Sequence, residues 1–155
     1  MIKNYMKSKV IYLSTASTIL EAAAIITKHH IGLLPVVDDQ KRLCGVVSLQ
    51  DLLSLELPAI LTLIDDFDFL NDFGAIETTR PTFREVTRPI TEIMEPPTYI
   101  FEDSGLLFAY SVMLKHNLYD LPVVSKDMLL VGIVSRVDIA VKVLSNWDQI
   151  REIPQ

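Results

Sequence analysis

Two short stretches, Gly45-Val46-Val47-Ser48-Leu49-Gln50-Asp51 and Gly132-Ile133-Val134-Ser135-Arg136-Val137-Asp138, place a hydroxyl and a carboxylate three residues apart in the same frame. A serine at a helix start with an acid three positions on is a capping pair, here with Asp in place of Glu. The same groups also have ligand chemistry. Backbone N–H groups at a helix start, aided by a hydroxyl and the helix dipole, favour an anion such as a phosphate. An ionised aspartate only accepts hydrogen bonds, so its oxygens suit the two hydroxyls of a ribose. The glycine ahead of them lets a ligand approach the backbone.

Other reactive side chains carry less. Cys44 is the one cysteine and lies in an apolar stretch beside Gly45, the setting of a small buried hydrophobe. His29 and His116 stand at equivalent positions near the ends of two apolar-faced segments, where an imidazole interacts favourably with the last helix carbonyls. His29-His30 lacks zinc spacing, so no metal site is expected. No P-loop, GxSxG or HExxH pattern occurs, and catalysis is not expected.

The elements that position the Ser–Asp pairs repeat with a period of 87 residues. Leu34-Pro35-Val36-Val37 returns as Leu121-Pro122-Val123-Val124, and Lys28-His29 as Lys115-His116. Two copies at this spacing exclude a solenoid and indicate two units about a pseudo-twofold axis. Each unit reads as β-α-β-β-α. A strand near Val10-Tyr12 leads to a helix over 18–31, strands at "LLPVV" and "LCGVVS", and a helix opening at Ser48. The second unit starts near Thr98-Ile100 and repeats the pattern, its last helix running toward Trp147. Neither unit has much core alone, so the two sheets are expected to pack on each other in an α+β fold.

The domain reading is a first repeat over 1–57, an insert over 58–88 and a second repeat over 89–150. Within the insert, Leu57 to Ile64 reads as helix. Asp65, Asp66, Asp68 and Asp72 alternate with phenylalanines, but without the glycine spacing of a Ca²⁺ loop. The 155 residues are 50% hydrophobic and 22% charged, with a net charge of −6, which is a globular composition without the basic surface that nucleic acid requires. No apolar run has membrane-spanning length and the amino terminus lacks a signal core, so a cytoplasmic protein is expected.

The paired pattern resembles the tandem CBS-domain (cystathionine β-synthase domain) pair, or Bateman module. Its carriers are the two Leu-Pro-Val-Val strands, the two Gly-to-Asp stretches, and Ile90-Thr91-Glu92-Ile93-Met94, echoed loosely by Ile2 to Met6. The resemblance implies two clefts that bind adenosine-containing ligands, namely AMP, ADP, ATP or S-adenosylmethionine, as regulatory ligands without a required cofactor. It further implies that each cleft is shared between repeats. One cleft would combine Ser48 and Asp51 with Tyr119, Asp120 and the segment from Ile93 to Thr98. The other would combine Ser135, Arg136 and Asp138 with Gly32, Leu33 and the segment from Tyr5 to Ile11. Arg136 makes this second cleft the expected phosphate site. Asp120, expected in the first, would repel a phosphate there and leave that cleft empty or bound to a neutral adenosyl group.

Two functions follow from this resemblance. One is a stand-alone sensor that signals to an unknown effector protein. The other is a ligand-free structural or dimerising module with degenerate clefts. The family's habit of pairing modules through helix faces implies a homodimer.

Overall fold

A computed structural model describes residues 1–56 and 80–151. The acidic and phenylalanine-rich part of the insert, with the helix expected at Leu57 to Ile64, lies outside the described residues.

Each repeat is a three-stranded mixed sheet with helices on one face. In the first, β1 (Leu13–Ser14), β2 (Leu33–Val37) and β3 (Leu43–Ser48) lie in the order β1-β2-β3, with α1 (Ile19–His29) and α2 (Leu49–Leu53). A short α3 (Phe83–Val86) precedes the second repeat. That repeat contains β4 (Ile100–Phe101), α4 (Leu106–Lys115), β5 (Asp120–Val124), β6 (Leu130–Ser135) and α5 (Arg136–Leu144), its sheet ordered β4-β5-β6. The α+β architecture expected from the repeat is therefore present. The first strand of each unit begins later than expected, because only Leu13–Ser14 and Ile100–Phe101 pair with β2 and β5.

Local chemistry explains these elements. Thr18 caps α1 in a reciprocal box with Glu21. His30 and Asn117, related by the repeat, take left-handed conformations just past α1 and α4, the usual way to end a helix when no glycine is there. The central strands are buried on both faces from Leu34 to Val37 and from Leu121 to Val124, as expected for strands covered on each side. Pro35 is tolerated in a central strand because β1 pairs only with Val36 and Val37, so no β1 residue stands opposite it.

The repeats are interleaved. Ile2, from the amino-terminal turn, sits in the core of the second repeat with Ile100, Met113, Leu121 and Val134. Ile90, from the lead-in of the second repeat, sits in the core of the first with Leu13, Ile19, Leu34 and Val47. Backbone bonds fix both exchanges: Ile2 N donates to Ser104 O (2.8 Å), and Ile90 N to Ser17 O (2.8 Å). The hairpin turns also meet, Leu43 N donating to Met128 O (2.9 Å) and Leu130 N to Lys41 O (3.1 Å). Each unit's shortage of core is thus met by a segment of the other as well as by the seam.

Candidate functional site

Both Ser–Asp pairs form capping boxes. Ser135 N and Oγ each donate to Asp138 Oδ2 (2.8 Å both), and Asp138 N donates to Ser135 Oγ (3.1 Å). In the first repeat Ser48 N donates to Asp51 Oδ2 (2.7 Å) and Asp51 N to Ser48 Oγ (3.2 Å). Each aspartate therefore spends one oxygen on its own helix start. The second oxygen of Asp138 faces Lys7 Nζ at 3.9 Å, and the Asp138 side chain is only 19% exposed. A ribose clasp on Asp138 would rest chiefly on Oδ1, rather than on both oxygens equally.

The two glycines serve the fold rather than a ligand. A Cβ on Gly45 would stand 2.6 Å from Met94 Sδ and 3.3 Å from Glu95 O; on Gly132 it would collide with Met6 Sδ and stand 3.1 Å from Lys7 O. The space the glycines leave is filled by the exchanged lead-in segments, which bridge to the strands at Lys7–Ile133 and Glu95–Val46.

Those bridges place the lead-in segments beside the expected helix starts, the Tyr5 segment near Asp138 and the Ile93 segment against β3. A groove of about 310 Å³ is lined by Tyr5, Asp138, Val141, Lys142 and Ser145, with Lys142 Nζ 5.5 Å from the Tyr5 ring centroid. A second cavity, about 210 Å³, lies at the seam between Ser8, Lys9, Val10, Tyr12 and Lys41 of the first repeat and Leu130 of the second. Ile11 and Ile93 instead pack against the core of the first repeat; Thr98 is half-buried in the segment before β4.

Three expected groupings are corrected. Asp120 pairs with Ser135 across β5 and β6, and Leu33 pairs with Ser48 across β2 and β3. Leu49 N also donates to Gly32 O (2.8 Å). The residues before each Pro-Val-Val strand thus lie beside the serine of their own repeat, because the two strands form an antiparallel hairpin. Tyr119 and Asp120 join Asp138, while Gly32 and Leu33 join Asp51. Arg136 does not reach into a cleft toward a phosphate. Its Nε donates to Leu118 O (2.6 Å), its Nη2 donates to Met113 O (3.2 Å), and its guanidinium lies 4.4 Å from the Tyr119 ring centroid. It closes the end of α4 within its own repeat.

The electrostatics follow from these placements. Burial raises the Asp120 carboxyl above its usual range; Lys7 pulls it down and Asp138 pushes it up. The position of Lys7 is held in the other half by Glu95, so the two clefts differ in sign at that point. Sequence reasoning missed Lys142 and held Lys7 only as part of the Tyr5 to Ile11 segment. The signal for Lys7 was its place directly after Met6, the counterpart of Glu95 after Met94; for Lys142 it was the one-turn spacing from Asp138. Cys44 donates to Val36 O (3.3 Å) and burial raises its thiol, in keeping with a packed side chain. Among the described residues, no helix is long and apolar enough to cross a membrane.

Comparison with known proteins places this arrangement. Residues 2–57 and 90–145 match the CBS domain family. The CBS domain-containing protein YhcV of Bacillus subtilis is 29% identical over 151 residues, covering 94% of this chain and 86% of YhcV. The chloroplastic CBS domain-containing protein CBSX2 of Arabidopsis thaliana is 30% identical over 130 residues, 78% of this chain and 53% of CBSX2. The chain thus spans about half of that relative's length. The crystal structure of CBSX2 in complex with AMP has a TM-score of 0.70 at 23% identity, covering 93% and 96% of the two chains. The CBS domain pair of MJ0100, solved with 5′-methylthioadenosine and S-adenosyl-L-methionine, has a TM-score of 0.64 at 26% identity, covering 90% and 96%.

Proposed function

This chain belongs to the CBS-domain family, and on that premise we propose that it is a non-catalytic regulatory module. It binds an adenosine-containing ligand beside Asp138 and signals to a partner protein. The observation that carries the reading is Asp138 Oδ1, which is largely buried, lies outside the capping box and faces Lys7 Nζ of the other repeat at 3.9 Å. One oxygen of the carboxylate holds the helix start and the other is left to accept ribose hydroxyls. A ligand there touches segments of both repeats. It therefore favours one arrangement of them, and a partner that reads the difference completes the switch by linkage. Chains that bind AMP, 5′-methylthioadenosine or S-adenosyl-L-methionine on the same fold support the ligand class.

Thermal melting with 5′-methylthioadenosine, S-adenosylmethionine, AMP and ATP tests this. A ligand at a hundred times its Kd stabilises the folded form by about 2.7 kcal/mol, a shift of several degrees. Asp138→Asn, which keeps an acceptor for Ser135, is expected to weaken binding at least tenfold, and Asp51→Asn much less. No shift with any of the four would favour the structural reading; a shift insensitive to Asp138→Asn would move the site elsewhere.

The same proposal includes a homodimer. Leu107, Phe108 and Leu114 on α4 and Val137, Val141 and Leu144 on α5 are exposed. In the first repeat, Glu21, Thr27, Gln50 and Ser54 hold the places of Phe108, Leu114, Val137 and Val141. The fold forms with polar residues at those places, so the apolar face serves something other than folding.

A further inference from the structure

Asp120 sits where nothing in the fold calls for a charge. The equivalent place in the first repeat is Leu33, and both begin the same strand opposite the same serine. Along β5, Leu121 and Val123 face the helix-side core. Asp120, one residue before Leu121, is on the opposite face, toward the seam. Its pairing with Ser135 across β5 and β6 sets it beside the helix start that carries Asp138, and its carboxyl is coupled to Asp138 and to Lys7.

The cations that could offset it are committed. Lys7 already pairs with Asp138 and is 69% exposed, so its charge is shared and screened. Arg136 is turned to the carbonyls of Leu118 and Met113. Lys142, which lines the groove with Asp138, lies over the Tyr5 ring at 5.5 Å from its centroid. A phosphate on the Asp120 side of Asp138 would meet a half-buried carboxylate, and like charges in partly desolvated surroundings repel strongly. A thioether meets no such penalty, and a sulfonium is attracted.

We infer that Asp120 is a specificity-determining residue: it makes the Asp138 cleft favour adenosyl ligands with an uncharged or cationic 5′ group over those with a phosphate. This rests on the adenosyl reading above, so its test separates the two. Calorimetric titration of 5′-methylthioadenosine, S-adenosylmethionine and AMP into the full chain at neutral pH is expected to rank AMP at least tenfold weaker than either of the others. Asp120→Asn is expected to tighten AMP about fivefold or more. It should leave 5′-methylthioadenosine within twofold and weaken S-adenosylmethionine. Equal affinity of the wild type for AMP and 5′-methylthioadenosine would overturn the inference and leave the adenosyl reading standing. So would a parallel shift of both in Asp120→Asn. Failure of all three ligands to bind would overturn both.

Discussion

At the residue scale, Asp138 combines two jobs that the sequence presents as rivals, because a carboxylate has two oxygens. One closes the capping box and the other faces Lys7 across the seam. Asp120 has no such structural employment, and its position predicts a stability cost. Its carboxyl is raised by burial first, with Lys7 opposing and Asp138 adding. A raised carboxyl means that the folded chain holds its proton to higher pH than the unfolded chain does. Stability therefore falls as pH rises from the ordinary carboxylate range through the raised value, and stays lower above it. Asp120→Asn should be more stable than the wild type at neutral pH, by no more than about 1 kcal/mol after solvent screening. That gain should vanish near about pH 3, where both forms are protonated. Urea melts at the two pH values check this, and a pH-independent difference would contradict it. The Ser–Asp pairs were legible from spacing alone. Of the partners of Asp138, Lys7 was reached only as part of the Tyr5 to Ile11 segment, and Asp120 was assigned to the other cleft, because the strand register that sets it beside Ser135 is not announced by any local pattern.

At the element scale, the strands and helices were largely legible because buried strands, a polar turn and a capped helix recur in both copies. The strands at Leu33–Val37 and Leu43–Ser48 fall where the apolar runs place them. The exchanged lead-ins were not legible, since Ile2 and Ile90 read equally well as parts of their own repeats. The residues most sensitive to that exchange are Gly45 and Gly132, each pressed against a methionine of the other repeat's lead-in. Gly132→Ala forces Met6 and the Lys7 backbone aside, and overpacking of this kind costs about 1–3 kcal/mol. Gly45→Ala should behave likewise against Met94. Gly32→Ala, with open space around the added methyl, should be neutral or slightly stabilising. Denaturant unfolding of the three variants separates them; equal effects at Gly32 and Gly132 would mean that the lead-ins do not pack as described.

At the scale of the whole molecule, the pseudo-twofold axis supplies an internal control, since each position on one repeat can be compared with its mate on the other. The helix faces show the largest contrast, with Phe108 and Val141 against Glu21 and Ser54. Leu107, Phe108, Leu114, Val137, Val141 and Leu144, all exposed on α4 and α5, would bury roughly 1,000 Å² when two copies meet, the lower bound for a specific interface. An isologous contact of second repeat on second repeat uses this patch on both copies and leaves in solvent the first repeat's helix face, where Glu21, Thr27, Gln50 and Ser54 accompany exposed Leu20, Leu49 and Leu53. Sedimentation velocity is expected to show a dimer at micromolar concentration for the wild type. Phe108→Glu with Val141→Ser, which writes the first repeat's residues into the second, is expected to give a folded monomer. The first repeat already carries these residues at matching places, so their tolerance by the fold is built into the comparison, and circular dichroism verifies it. A wild type that is monomeric at all concentrations would remove the dimer. A dimer indifferent to both substitutions would place its contact on another face.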